Sequence, residues 1–168
     1  MSDLYLLDTN IISHALDEWS CDYSKVWNFL NSLSSSAISV SVITLAEIEY
    51  GLRTAPEMIP ERQAAVRSAL GKFPLIRDIT VHTVGYYAEL RAELFRQYSP
   101  TCKRGRLTKK RVEDLIEPTT AKELGIKESD LWIAAQSVEW NCVLVTNDAM
   151  RPIIGLKTNP PIRPMSLK

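Results

Sequence analysis

The chain has 168 residues, 45% apolar and 24% charged, with 20 basic and 20 acidic residues. These figures describe one globular domain with a core of useful size. A formal net charge of zero excludes any case for a nucleic-acid partner from global charge, so such a case must come from local clustering.

Cys21, Cys102 and Cys142 form no CxxC pair, which argues against a disulfide framework and fits a reducing compartment. The apolar stretch at residues 4–7 is too short for a signal peptide and is broken by Asp8. No run approaches the roughly 20 apolar residues of a membrane helix. The sequence therefore reads as a soluble, cytoplasmic protein with no membrane partner.

In chain order, "LYLL" (4–7) reads as a short buried strand, and residues 11–18 as a helix. "YSKVWNFLNSL" places Tyr23, Val26, Trp27, Leu30 and Leu33 at helical spacing. "AISVS" (37–41) is a second strand. "TLAEIEYGLRTA" (44–55) is a helix stopped by Pro56. "PERQAAVRSALGKF" (60–73) begins with a proline suited to a first turn and ends near Gly71. "LIRDITV" (75–81) predicts a third strand, and residues 83–98 an amphipathic helix. "SDLWIAAQSVEW" (129–140) is another helix, ended by Asn141, which tolerates the left-handed conformation. "CVLVT" (142–146) is a buried strand; the prolines of the tail leave a last strand open.

Strands alternating with helices predict an α/β domain with a mostly parallel sheet. Residues 1–168 read as a single domain, with 99–127 as an excursion from the core, because a connection of that length is uncommon without a function. Within it, residues 108–116 suit a short helix.

In a parallel sheet the working site lies beyond the carboxyl ends of the strands. Asp8 follows the first strand and Asp148 the last buried one; Glu47 and Asp130 fall in the first turns of helices. Each acid alone has a plain structural account. Asp8 is a helix cap, Thr44 to Glu47 matches a capping box, Asp130 suits a helix N-terminus, and Asp148 suits a turn. Four such acids at converging junctions, with strands ending in "DTN" and "TND", argue instead for a shared site. Gathered carboxylates need a cation, and oxygen donors without Cys or His favour Mg²⁺ or Mn²⁺. Such a site suits phosphodiester hydrolysis. Thr9, Asn10, Thr146 and Asn147 would support the acids.

Four segments in order, "LLDTNIIS" (6–13), "SVSVITLAEIEYGL" (39–52), "YAELRAEL" (87–94) and "ESDLWIAAQSVEWNCVLVTND" (128–148), carry a family likeness. The chain resembles the PIN-domain nucleases, and among them the VapC-like toxins of type II toxin–antitoxin pairs. The resemblance implies a three-layer α/β/α sandwich and a metal-dependent endoribonuclease. It implies metal-site roles for Asp8, Glu47, Asp130 and Asp148 and supporting roles for Asn10 and Thr146. It also implies an RNA substrate, a cognate antitoxin and a homodimer. The chain departs from the family in the length of 99–127, and in Pro152 where an aromatic is frequent.

Lys103, Arg104, Arg106, Lys109, Lys110 and Arg111 cluster in that long segment and are candidate phosphate contacts, partly offset by Glu113, Asp114 and Glu117. Arg53 is another, although it also suits a helix end. His14 and His82 lack ligand spacing. Trp19, Trp27, Trp132 and Trp140 read as helix packing residues, with Trp132 nearest an acid. No activated nucleophile is present, so direct attack by water is expected. A phosphatase of the haloacid-dehalogenase kind needs a second aspartate where Asn10 stands. A catalytically silent RNA- or protein-binding module is the other rival.

Overall fold

The computed structural model describes residues 3–34, 37–57, 59–73, 75–99, 111–148 and 150–167. Five parallel strands form one sheet: β1 (Tyr5–Leu7), β2 (Ile38–Ser41), β3 (Ile76–Arg77), β4 (Val143–Val145) and β5 (Arg163–Met165). Their order is β3-β2-β1-β4-β5. Among the described residues, seven α-helices flank it: α1 (Thr9–Leu16), α2 (Tyr23–Ser32), α3 (Val42–Thr54), α4 (Pro60–Leu70), α5 (Val81–Tyr98), α6 (Glu128–Glu139) and α7 (Arg151–Ile154).

The three-layer arrangement follows from strand alternation. Leu6 of β1 stands in register with Leu144 of β4, and Leu7 with Val145 and Val40. Successive residues of a strand point to opposite faces. Leu6 and Leu144 pack with α5, α6 and α7 through Leu90, Leu94, Leu131, Ala135 and Ile153. Leu7, Val40 and Val145 pack on the other face with Ile11, Ile12, Val26 and Leu30. Both faces of the sheet are covered, which is why β1 and β4 are apolar without alternation. No helix among the described residues is long and apolar enough to cross a membrane.

Several sequence expectations need correction. The third strand is two residues, not seven, because Thr80 caps α5: its hydroxyl accepts from the amides of His82 (3.0 Å) and Thr83 (3.3 Å). The helix after β2 starts at Val42, with Ser41 as cap to the Ile43 amide at 2.9 Å. Thr44 is therefore a buried interior residue, no capping box forms with Glu47, and Glu47 lies in the second turn. Trp19 lies between α1 and α2 rather than in a helix, and is 92% exposed. Trp27 does pack, and its indole donates to the Ala15 carbonyl at 3.0 Å.

Residues 111–127 do not leave the core. Val112, Leu115 and Ile126 are buried in the cluster formed around Leu90 and Leu94. The expected short helix is a 3-10 turn at Val112–Asp114; its predicted start at 108–110 lies outside the described residues. The tail does form an edge strand, where Pro164 is tolerated because an edge has one unpaired side. Asn141, at φ 48°, ends α6 in the left-handed conformation its side chain tolerates.

Candidate active site

The chain runs from β1 outward to β2 and β3, then returns to place β4 on the other side of β1. The strand order reverses there, and such switch points open a crevice at the carboxyl ends of the strands. Asp8 and Thr146 are the first residues past β1 and β4. The register Leu7↔Val145 sets them beside each other.

Asp8 is 2% exposed. Its Oδ1 accepts from the Thr9 amide at 2.7 Å. Its Oδ2 accepts from the Thr146 hydroxyl at 2.7 Å and from Asn10 Nδ2 at 3.1 Å. Asp8 is thus the cap of α1, for its backbone carbonyl also accepts from Ile11 and Ile12. Burial pushes its carboxyl from 3.8 up to about 6. The bonds from Thr146 and Thr9 oppose that rise, and the charges of Asp148 and Glu47 add to it. A cap exposed to water would show a lowered value instead.

Asp130, the third residue of α6, is likewise raised to about 6, chiefly by burial and further by Asp8 and Glu47. The Lys127 amide donates to its Oδ2 at 2.7 Å. The structural reading of Asp130 as a helix-start residue is therefore correct and coexists with its place among the acids. Glu47 accepts a short hydrogen bond from the Thr9 hydroxyl, which ties α3 to the start of α1. Asp148 is exposed, and its amide donates to Thr146 Oγ1 at 3.1 Å.

The supporting residues form one net. Asn10 Nδ2 donates to Thr146 Oγ1 at 3.1 Å, and its Oδ1 accepts from the Asn147 amide at 3.2 Å. Asn147 supports Asn10 through its backbone. Its side chain serves the tail, accepting from the Leu167 amide at 2.9 Å and Ser166 Oγ at 3.3 Å.

All four acids line one cleft of about 580 Å³, together with Thr9, Asn10, Ser13, His14, Tyr50 and Lys127. The last four went unread in the sequence as cleft residues. Helical spacing from known positions would have found three of them: Ser13 and His14 follow Asn10 by three and four residues, and Tyr50 follows Glu47 by three; Lys127 is the residue before α6. His14 Nδ1 lies 2.6 Å from Ser20 Oγ. Arg53 does not line the cleft; it pairs with Glu49 at 2.7 Å. Arg111 pairs with Asp114 at 3.0 Å and is also absent from the cleft lining. Lys103, Arg104, Arg106, Lys109 and Lys110 lie outside the described residues. Trp132 stacks on Tyr87 at 3.8 Å and joins α6 to α5, a packing role. A second groove of about 490 Å³, lined by Trp27, Leu30 and Phe73, carries none of the acids.

Among the described residues, no group of three or more His, Cys, Asp or Glu side chains stands ready to hold a metal ion. The donor set nonetheless fits a hard divalent cation in its chemistry. It is all oxygen, and Asp8 and Asp130 are each pushed up chiefly by burial and further by the acids around them. A cation would relieve that repulsion.

A family model described as PIN domain matches residues 5–151. A ribonuclease VapC2 from Rickettsia felis is 29% identical over 146 residues, 86% of this chain and 87% of that protein. The crystal structure of VapBC2 from Rickettsia felis bound to a DNA fragment from their promoter superposes with a TM-score of 0.65. That alignment is 25% identical and covers 97% of this chain and 98% of that one. DNA-bound VapBC from Salmonella typhimurium shares the fold at a TM-score of 0.63 and 22% identity, covering 99% of this chain and all of that one.

Proposed function

The chain belongs to the PIN domain family, and from that premise we propose that it is a metal-dependent endoribonuclease, the toxin of a type II toxin–antitoxin pair. The observation that carries this reading is the meeting of Asp8, Glu47, Asp130 and Asp148 at one cleft beyond the sheet's switch point.

Asp8, Glu47, Asp130 and Asp148 would hold Mg²⁺ or Mn²⁺. A bound divalent cation would supply positive charge that lowers the pKa of water and offsets the charge developing on the phosphoryl group. The protein's own part is positional. Thr146 and Asn10 fix the Asp8 carboxylate, and Thr9 fixes Glu47, so that the acids meet substrate without reorganising. Lys127, the only lysine or arginine lining the cleft among the described residues, supplies a positive charge for the polyanionic backbone of RNA.

Asn10 also disposes of the phosphatase reading. The second aspartate of that chemistry moves a proton, whereas an amide bonded to Asp8 and Thr146 does not titrate. The silent-module reading has one observation in its favour, the lack of a ready-made coordination group among the described residues.

Two further parts of the proposal concern assembly. The toxin is held at rest by a cognate antitoxin, in line with the toxin–antitoxin complexes among its structural relatives. It forms a homodimer and acts in the cytoplasm, where its RNA substrate is. Co-purification from the native operon and light scattering test these parts.

The deciding experiment incubates purified protein with RNA and Mg²⁺ or Mn²⁺, and maps the cut ends. The wild type is expected to cut, and Asp8→Asn to lose cutting with an unchanged circular dichroism spectrum. Absence of cutting with either metal, together with no heat on metal titration, overturns the enzyme reading in favour of a binding module.

A further inference from the structure

Tyr50 stands out among the residues around the acids. It lies on α3 one turn after Glu47, on the same side of the helix. It lines the cleft with all four acids, and yet it is 70% exposed. The other tyrosine rings with aromatic neighbours are Tyr5 with Phe29, Tyr23 with Trp27, and Tyr87 with Trp132. Tyr50 has no such partner among the described residues. Ala46, one turn earlier on the same side, is small and exposed, and Arg53, one turn later, is turned to Glu49 at 2.7 Å.

A flat, amphipathic ring left open to solvent beside an acid cleft has a specific use in a nuclease. Aromatic faces stack on unpaired bases, and every base offers such a face. Duplex RNA hides its bases, so a ring can stack only on a nucleotide that is unpaired or turned out. Lys127 in the same cleft provides the cation for the phosphate beside that base.

We propose that Tyr50 stacks on a nucleobase next to the scissile phosphate, and so is a substrate-positioning residue of the enzyme. This rests on the ribonuclease reading above. Tyr50 touches substrate but moves no proton. Its contact is present before and during the reaction alike, so its loss should raise KM with little change in kcat.

The test uses a short single-stranded RNA carrying the cleavage site mapped with the wild-type enzyme, and the same RNA with one abasic nucleotide at each flanking position in turn. In the wild type, one abasic position should lower kcat/KM roughly 5- to 100-fold, mostly through KM. Tyr50→Ala should show a similar loss on the intact strand and no further loss on the abasic one. Tyr50→Phe should stay within about threefold of the wild type, and Tyr50→Leu should behave like Tyr50→Ala, since stacking needs the ring and not the hydroxyl. Because Tyr50 is exposed, these variants keep the core, which circular dichroism checks.

If Tyr50→Ala cuts the intact strand as well as the wild type, the inference fails while the ribonuclease reading stands. It fails equally if Tyr50→Phe is as impaired as Tyr50→Ala, or if the two losses simply multiply. If RNA cutting is untouched and binding to a partner protein weakens instead, the ring is a protein contact. A wild type that cuts no RNA removes both readings together.

Discussion

The Thr146 hydroxyl donates to Asp8 Oδ2 at 2.7 Å and joins two residues 138 positions apart in the chain. The same oxygen accepts from the Asp148 amide and from Asn10 Nδ2, each at 3.1 Å. One hydroxyl has one proton and two lone pairs, so Thr146 is fully used. It holds one acid by its side chain, the backbone of a second acid, and the amide that steadies the first.

Replacing Thr146 by Val therefore has two effects. A hydrogen bond to the charged carboxylate lowers its pKa, and the loss of that bond moves Asp8 above about 6. The acid limb of the kcat profile should shift to higher pH. The Asp148 amide also loses its acceptor, at a cost of about 1–3 kcal/mol of stability. Thr146→Ser should recover most of both. A pH–rate profile identical to the wild type's would contradict this role.

Asp8 and Asp130 predict an unusual pH dependence for the metal-free protein. Both carboxyls are raised from 3.8 to about 6 in the fold. Between roughly pH 4 and pH 6 the folded state binds more protons than the unfolded state, so stability falls as pH rises. Asp8 alone accounts for on the order of 3 kcal/mol. Without metal, the midpoint in urea should be higher near pH 5 than at pH 7.5. Added Mg²⁺ or Mn²⁺ should restore stability at pH 7.5 and do little near pH 5, where binding must displace protons. A metal-free midpoint that rises from pH 5 to 7.5 would refute the argument.

Lys127→Met should weaken RNA binding with little dependence on sequence. One phosphate contact fewer flattens the slope of log KM against log salt by about 1. The same substitution removes a charge that lowers the Asp130 pKa, so the acid limb of activity should move up slightly. An unchanged salt slope would show that Lys127 does not reach the backbone.

Two glycines should respond with opposite signs to the same substitution. Gly85 lies inside α5, and an added Cβ meets nothing within 4 Å. Gly85→Ala should stabilise the protein by about 0.5–1 kcal/mol, because alanine has less freedom to lose. Gly125 has φ 67°, where a side chain is strained, and Gly125→Ala should destabilise by about 1 kcal/mol or more. Thermal denaturation of the two variants side by side reads both effects.

Much of this was legible in the residues. Short unbroken apolar runs identified β1 and β4, which are covered on both faces, and β-branched residues identified β2. The four acids were legible because each follows a strand end or lies near a helix start. The capping signals misled at two places. Thr44 and Glu47 match a box on paper, but Ser41, three residues before Thr44, takes the cap. Thr80 ends β3 early by the same kind of competition, since a threonine that caps a helix cannot also extend a strand. Trp19 was misplaced because a lone aromatic carries no period.

What the sequence determined by itself was local: which segments are strands or helices, which charges end them, and the family pattern in which they occur. What only the tertiary structure decided was adjacency. Nothing within "YLLDTN" or "VLVTND" says that β4 pairs with β1 rather than with β3. That pairing depends on covering both sheet faces at once, a property of the whole packed chain. It is this pairing that sets Thr146 beside Asp8, where its hydroxyl bonds a carboxylate that burial has raised to about 6.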